Sequence, residues 1–155
     1  MTAFSTLPRL SLLLLVVALS GCARFSERST GVVDGALTPC PAWPRCVSSQ
    51  AEDPDQQVAP LQLVDNRDAT WQRVVSEVGK LPRTRLVDAG DNYLHAEVTS
   101  PWGVYTDDLE LLRTPGSAVV QVRSSARLGY YDFEVNRERV EGLRQRLADA
   151  GLLAR

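Results

Sequence analysis

Four short runs of alternating apolar and polar residues lie between positions 85 and 124, and they limit the folds open to this chain more than any other feature. The runs cover residues 85–89, 93–99, 105–113 and 118–124. The residues between them are typical of turns: Gly90-Asp91-Asn92, Pro101-Trp102-Gly103 and Pro115-Gly116. Alternation of period two between such turns predicts a four-stranded antiparallel meander.

A helical pattern precedes the meander. Its apolar residues recur every three or four positions and form one stripe: Trp71, Val74, Val75, Val78 and Leu81. This spacing predicts a first helix over residues 68–80. Asn66 or Asp68 is the predicted N-cap, because a short polar side chain can accept the first free N–H groups.

A second helix is predicted after the meander, over residues 137–150, with Asn136 as its N-cap and Gly151 at its end. Val135 and Val140 would form a hydrophobic staple around the cap. The inward side chains would be Val140, Leu143, Leu147 and Ala150. The order α-β-β-β-β-α predicts an α+β fold with both helices on one face of the sheet.

Counting through the turns predicts which residues face each other across the strands. Asp108 is predicted to pair with both His95 and Arg123. One face is then apolar, with Leu94, Ala96, Val98, Leu109, Leu111, Val120 and Val122. The other carries His95, Glu97, Asp108, Glu110, Gln121 and Arg123, either as a functional cluster or as a solvated face with cross-strand ion pairs.

Asp107 breaks this pattern, because it points toward the predicted core. A buried carboxylate needs a partner, and the predicted partner is Arg127 or the N-terminal turn of the last helix.

An export signal is predicted at the N-terminus. Residues 10–19 form a largely apolar run of ten residues, too short to cross the membrane as a helix but typical of a secretory signal. Leu19-Ser20-Gly21-Cys22 resembles a bacterial lipobox, which implies cleavage before Cys22 and diacylglycerol on its sulfur. Ala23 then favours the periplasmic face of the outer membrane. The alternative is a soluble secreted protein with an unmodified cysteine.

The other two cysteines, Cys40 and Cys46, are predicted to form a structural disulfide, since exported proteins meet an oxidising compartment. A zinc site or a redox motif is the alternative. Zinc needs four ligands, and His95 is the one other soft candidate. Redox motifs normally place two residues between the cysteines, whereas five stand here. No metal and no cofactor are predicted.

These features predict a signal peptide over residues 1–21, a tether over 22–37 and one domain over 38–151. The formal net charge of -2 argues against nucleic acid as a partner, because such a partner requires a basic face. The predicted partners are the membrane, through the N-terminal lipid, and an envelope protein or a small anionic ligand.

Several motifs within the domain match a known pattern: Cys40-Pro41, Cys46-Val47-Ser48-Ser49, Pro60-Leu61, Asp107-Asp108, and a run from Arg123 through Arg127 to Asn136-Arg137. With them, residues 38–148 resemble the bacterial and plastid family called domain of unknown function 1499. The family pattern has glycine where Glu134 stands. The family has no established activity, so the resemblance implies residues of interest but no reaction.

Two functions follow as hypotheses. The first is a non-enzymatic binding or interaction module, with an anion site beside the N-terminus of the last helix. Its candidate ligand-binding residues are Asp107, Asp108, Arg123, Arg127, Asn136 and Arg137. The alternative is that the arginines only satisfy Asp107, Asp132 and loop carbonyls.

The second hypothesis is a small hydrolase. His95 would act as the base and Asp108 would orient it, with a serine as nucleophile. The candidate serines are Ser48, Ser49, Ser124 and Ser125. A third possibility, a structural assembly factor, has no positive signal in the sequence.

Overall fold

The computed structural model describes residues 30–154, so the predicted signal peptide and Cys22 lie outside the described residues. Within them, the chain forms an α+β fold. Its elements are β1 (Val32–Val33), β2 (Ala36–Leu37), β3 (Cys46–Ser48), β4 (Leu61–Gln62), α1 (Asp68–Gly79), β5 (Thr84–Ala89), β6 (Tyr93–Thr99), β7 (Thr106–Arg113), β8 (Val119–Ala126) and α2 (Val135–Asp149). Neither described helix is long and apolar enough to span a bilayer.

The prediction of a four-stranded meander was wrong in extent. Strands β5 to β8 do pair in sequence order, but β3 and β4 both pair with β8, so this sheet has six strands. Strands β1 and β2 form a second, two-stranded sheet. The additional strands contain only two or three residues each, which is too short for alternation to be recognised in the sequence.

Both helices were predicted, but their caps were not. Helix α1 begins after Arg67, whereas Asn66 or Asp68 was expected as its cap. The cap of α2 is Glu134 rather than Asn136, so the staple predicted around Asn136 is also wrong. Glu134 has a φ of 66°, in the left-handed region that favours glycine.

The apolar face of the sheet packs against α1 and α2, as predicted. Trp71 and Val74 of α1 and Leu143 of α2 are fully buried. The side chains expected on this face are buried or packed against the core: Leu94, Ala96, Val98, Leu109, Leu111, Val120 and Val122. Gly151, with a φ of 67°, follows α2 as expected.

The cross-strand partners differ from those predicted by two residues. His95 pairs with Glu110, and Asp108 pairs with Ser125. The cause is that each connecting turn is centred one residue later than predicted. A displacement of two residues leaves every side chain on its original face of the sheet, so the two faces were predicted correctly.

The second face of the sheet is not solvated. Strand β2 contacts β7 and β8, and the backbone N–H of Gly31 donates to Glu110 Oε1 at 2.6 Å. His95, Asp108 and Arg123 are each no more than 7% exposed. Residues 30–37, which the sequence analysis assigned to the end of a tether, contain the hairpin that packs here.

A disulfide joins Cys40 to Cys46, as predicted. It holds the loop before β3 next to β8, because Cys46 pairs with Ser125. The loop therefore lies at the end of the sheet where β8 stops and the connection to α2 begins.

Candidate functional site

Asp108 is the centre of a buried charged network on the polar face. His95 Nε2 lies 2.7 Å from Asp108 Oδ1. Arg127 donates to both oxygens of the same carboxylate, through Nη2 at 2.6 Å and Nε at 2.9 Å, and also contacts Glu97 at 2.7 Å. The predicted contact between His95 and Asp108 is therefore present, although the two residues are diagonal neighbours.

A second buried pair lies on the same face. Arg123 Nη1 donates to Glu110 Oε2 at 2.6 Å, and both side chains are at most 1% exposed. Tyr93 donates its hydroxyl to Glu110 Oε1 at 2.7 Å. Arg123 was expected to pair with Asp108, and the shifted register gives it Glu110 as its partner instead.

These contacts make the stability of the protein depend on pH. Burial raises the pKa of Asp108, but hydrogen bonds from His95 and Arg127 outweigh burial and bring the pKa to about 2. The pKa of Glu97 is also lowered, mainly by the hydrogen bond that Arg127 donates to it.

We expect the free energy of unfolding to fall as the pH drops from about 4, the ordinary pKa of aspartate, toward the folded-state pKa of Asp108, about 2. Arg127→Met should weaken this dependence, because it brings the folded-state pKa values closer to the unfolded ones. Urea unfolding between pH 6 and pH 2 measures the slope. Arg144→Met is the control, and an unaltered slope in Arg127→Met would contradict this account.

Asp107 points toward the helices, as predicted. Its partner is Arg139, near the N-terminus of α2, so the predicted alternative of the last helix's N-terminal turn is closer to the structure than Arg127. Arg139 Nη2 contacts Asp107 Oδ2 at 2.7 Å, and its Nη1 donates to Ser124 Oγ at 2.9 Å. Burial raises the pKa of Asp107, and Arg139 opposes that shift. Arg139 was not among the predicted site residues, although it lies in the N-terminal turn of the helix predicted over residues 137–150.

Asn136 is a structural junction between the sheet and α2. It is fully buried, accepts from Ser124 Oγ at 2.6 Å, and donates to the carbonyl of Arg45 at 3.1 Å. Asp132 accepts from the backbone N–H and the side-chain amide of Asn136. A carboxylate of the chain therefore already occupies the N-terminus of α2, where an anion site was predicted.

Arg137 is also engaged by the protein. Its guanidinium donates to the carbonyls of Asp55 and Gln57 at 2.6 and 2.7 Å, and to the Glu134 carboxylate at 3.1 Å. It lines a cleft of about 510 Å³ beside the disulfide loop, together with the side chains of Asp53 and Asp132. The predicted ligand-binding residues thus lie in separate clusters and do not surround one cavity.

The serines that were predicted as candidate nucleophiles are not hydrogen-bonded to His95. No serine hydroxyl among residues 30–154 hydrogen-bonds to its ring. Ser49 donates to Gln121, Ser48 accepts from the backbone of Gln50, and Ser124 donates to Asn136. In the same part of the chain, no group of three or more histidine, cysteine, aspartate or glutamate side chains is arranged to hold a metal.

A groove opens at the end of the sheet, between the β6–β7 turn and the connection from β8 to α2. Its volume is about 590 Å³, within the range of small-molecule sites. Apolar side chains form most of its wall: Val98, Tyr105, Leu128, Tyr131, Phe133 and Val135. The Asp107–Arg139 pair also lines it, so that a few charged groups lie within apolar surroundings.

The fold and these clusters define a small α+β domain, closed by a disulfide and carrying an apolar groove at one end of its sheet. The chain belongs to the family described as Protein of unknown function (DUF1499), whose model matches residues 36–147. No curated protein and no solved structure matches the chain.

Proposed function

We propose that this protein is a non-enzymatic binding module of the cell envelope, attached to the periplasmic face of the outer membrane by lipid on Cys22, and that the groove is its binding site. The attachment is supported by the apolar run at residues 10–19 and the lipobox resemblance that ends at Cys22. Binding rather than hydrolysis is favoured because His95 is buried against Asp108, and no serine hydroxyl among residues 30–154 is hydrogen-bonded to its ring.

The observation that carries the proposal is the composition of the groove. Leu128 and Phe133 line it, yet they are 66% and 79% exposed, so they leave apolar surface open to a ligand. The Asp107–Arg139 ion pair, whose side chains are each 13% exposed, is a polar group in the same wall. This combination suits an amphiphilic molecule with an apolar body and a polar group.

The environment-sensitive probe N-phenyl-1-naphthylamine should bind the groove saturably, with a rise in its fluorescence. Replacing two apolar wall residues, in Leu128→Ser/Phe133→Ser, should weaken binding about tenfold, which corresponds to roughly 1.4 kcal/mol of lost apolar contact. Both residues are exposed, so the fold should be unaffected.

The matched control is Val64→Ser, which changes an exposed apolar residue outside the groove. Equal weakening by Val64→Ser, or no saturable binding by the parent protein, would contradict the assignment of the groove.

A further inference from the structure

The aromatic residues of this domain are distributed in an unusual way. Eight lie in the described part of the chain, and six of them are exposed. Trp71 is fully buried, and Tyr93 donates to Glu110. The exposed ones are Trp43, Trp102, Tyr105, Tyr130, Tyr131 and Phe133. Large aromatic side chains are mostly buried in soluble domains, so an exposed group of this size indicates an interaction surface.

These six residues lie at one end of the sheet, which we call the aromatic end. Trp43 and Tyr130 are in edge contact, with 5.1 Å between ring centroids, and so are Tyr131 and Phe133. Tyr105 lines the same groove as Tyr131 and Phe133, and Trp102 is in the same turn as Tyr105. The turns at the opposite end contain only small or polar residues: Gly90-Asp91-Asn92 and Pro115-Gly116-Ser117.

The length of the chain before the domain limits how far this end can be from the membrane. Thr30 is eight positions after Cys22, and a chain of that length spans at most about 26–29 Å. Gly31 is hydrogen-bonded to Glu110, in the middle of β7. Thr106, at the start of β7, is four residues away, or about 13 Å along the strand. A lipid on Cys22 therefore allows the aromatic end to touch the bilayer.

We infer that the aromatic end is a bilayer-contacting surface, which places the mouth of the groove at the boundary between lipid headgroups and acyl chains. Tryptophan and tyrosine favour this boundary because they combine an apolar ring with a polar group. The acyl chains on Cys22 supply the attachment, and the aromatic end sets the orientation of the domain. This inference rests on the lipid attachment proposed above, and it identifies a membrane amphiphile as the class of ligand for the groove.

Tryptophan quenching tests the inference with the full lipidated protein, after mass spectrometry has verified diacylglycerol on Cys22. The protein is reconstituted into vesicles of phosphatidylethanolamine and phosphatidylglycerol with bromine on the upper part of the acyl chains. In Trp43→Phe, the remaining tryptophans are the 90%-exposed Trp102 and the fully buried Trp71. In ordinary vesicles, we expect the Trp102 emission to shift to shorter wavelength. In brominated vesicles, we expect this emission to be largely lost.

The matched control moves the reporter to the opposite end of the sheet, in Trp43→Phe/Trp102→Phe/Asp91→Trp. Its emission should be the same in brominated and ordinary vesicles. Trp102 emission that is unaffected by bromine would overturn the inference and would favour a protein partner for the aromatic end. Quenching of equal size at both ends would also overturn it, because the aromatic end would then not set the orientation of the domain.

The outcomes separate this inference from the proposed function. A protein without diacylglycerol on Cys22 would overturn both the attachment and the inference. Quenching of Trp102 without saturable probe binding would support the membrane contact and count against the groove as a ligand site. Probe binding without quenching would support the groove and overturn the membrane contact.

Discussion

Glu110→Ala should lower the free energy of unfolding by about 3–5 kcal/mol, because it leaves the Arg123 guanidinium buried without its counter-charge. Arg123 is 1% exposed, and its guanidinium forms an ion pair with Glu110 at 2.6 Å. Its Nε is also buried without a hydrogen-bond partner among the described residues. The substitution further removes the acceptor for Tyr93 and for the backbone N–H of Gly31. Urea unfolding at neutral pH measures the loss.

Two variants distinguish a buried charge from a general loss of contacts. Glu141→Ala removes an exposed carboxylate paired with Arg144 and should cost no more than about 1 kcal/mol. Glu110→Leu/Arg123→Met removes both buried charges and should recover part of the stability that Glu110→Ala loses. Recovery will be incomplete, since Tyr93 still lacks its acceptor. If the double variant is less stable than Glu110→Ala, the explanation by an unpaired charge is wrong.

Trp71→Ala should also lower the free energy of unfolding by about 3–5 kcal/mol, the usual cost of removing a large aromatic side chain from a core. Trp71 is fully buried on α1, and its Nε1 donates to the carbonyl of Gly90 at 2.9 Å. The Arg113 guanidinium lies 5.8 Å from its ring centroid. Thermal and urea unfolding measure the effect.

Trp102→Ala is the matched control, since it removes the same side chain from a position that is 90% exposed. It should change the free energy of unfolding by no more than about 0.5 kcal/mol. Similar losses in the two variants would contradict the division of the aromatic residues between core and surface.

The candidate site could be predicted only where it depends on which face a residue occupies. His95 and Asp108 were placed on the same face, and they are in contact even though the register differs. Arg127 was one of the two partners expected for Asp107, but it binds Asp108 on the other face. The identity of a partner depends on side-chain reach and on the exact turn, which alternation does not encode.

The groove was not predicted. Three of its aromatic residues, Tyr105, Tyr131 and Phe133, come from two connections that are distant in sequence. A signal was present nonetheless, because aromatic residues are concentrated in segments that otherwise read as turns. The family resemblance instead implied that the neighbouring charged residues are of interest, but most of these residues stabilise the fold by binding one another.

Local patterns were sufficient to predict the helices, the meander and its apolar face, because periods of 3.6 and 2 are repeated over many neighbouring residues. The disulfide between Cys40 and Cys46 was predicted because an even pair of cysteines remains after Cys22 in a chain that carries a predicted export signal. The burial of Glu110 and Arg123 depends instead on packing of the β1–β2 hairpin. This hairpin contacts β7 and β8 on the face of the sheet that is turned away from the helices. Strands of two residues have no recognisable period. The contact between Gly31 and Glu110 is not indicated by the residue pattern around either position. Long-range packing therefore converted a face that could have been solvated into a buried charged layer, and brought separate turns together as the aromatic end.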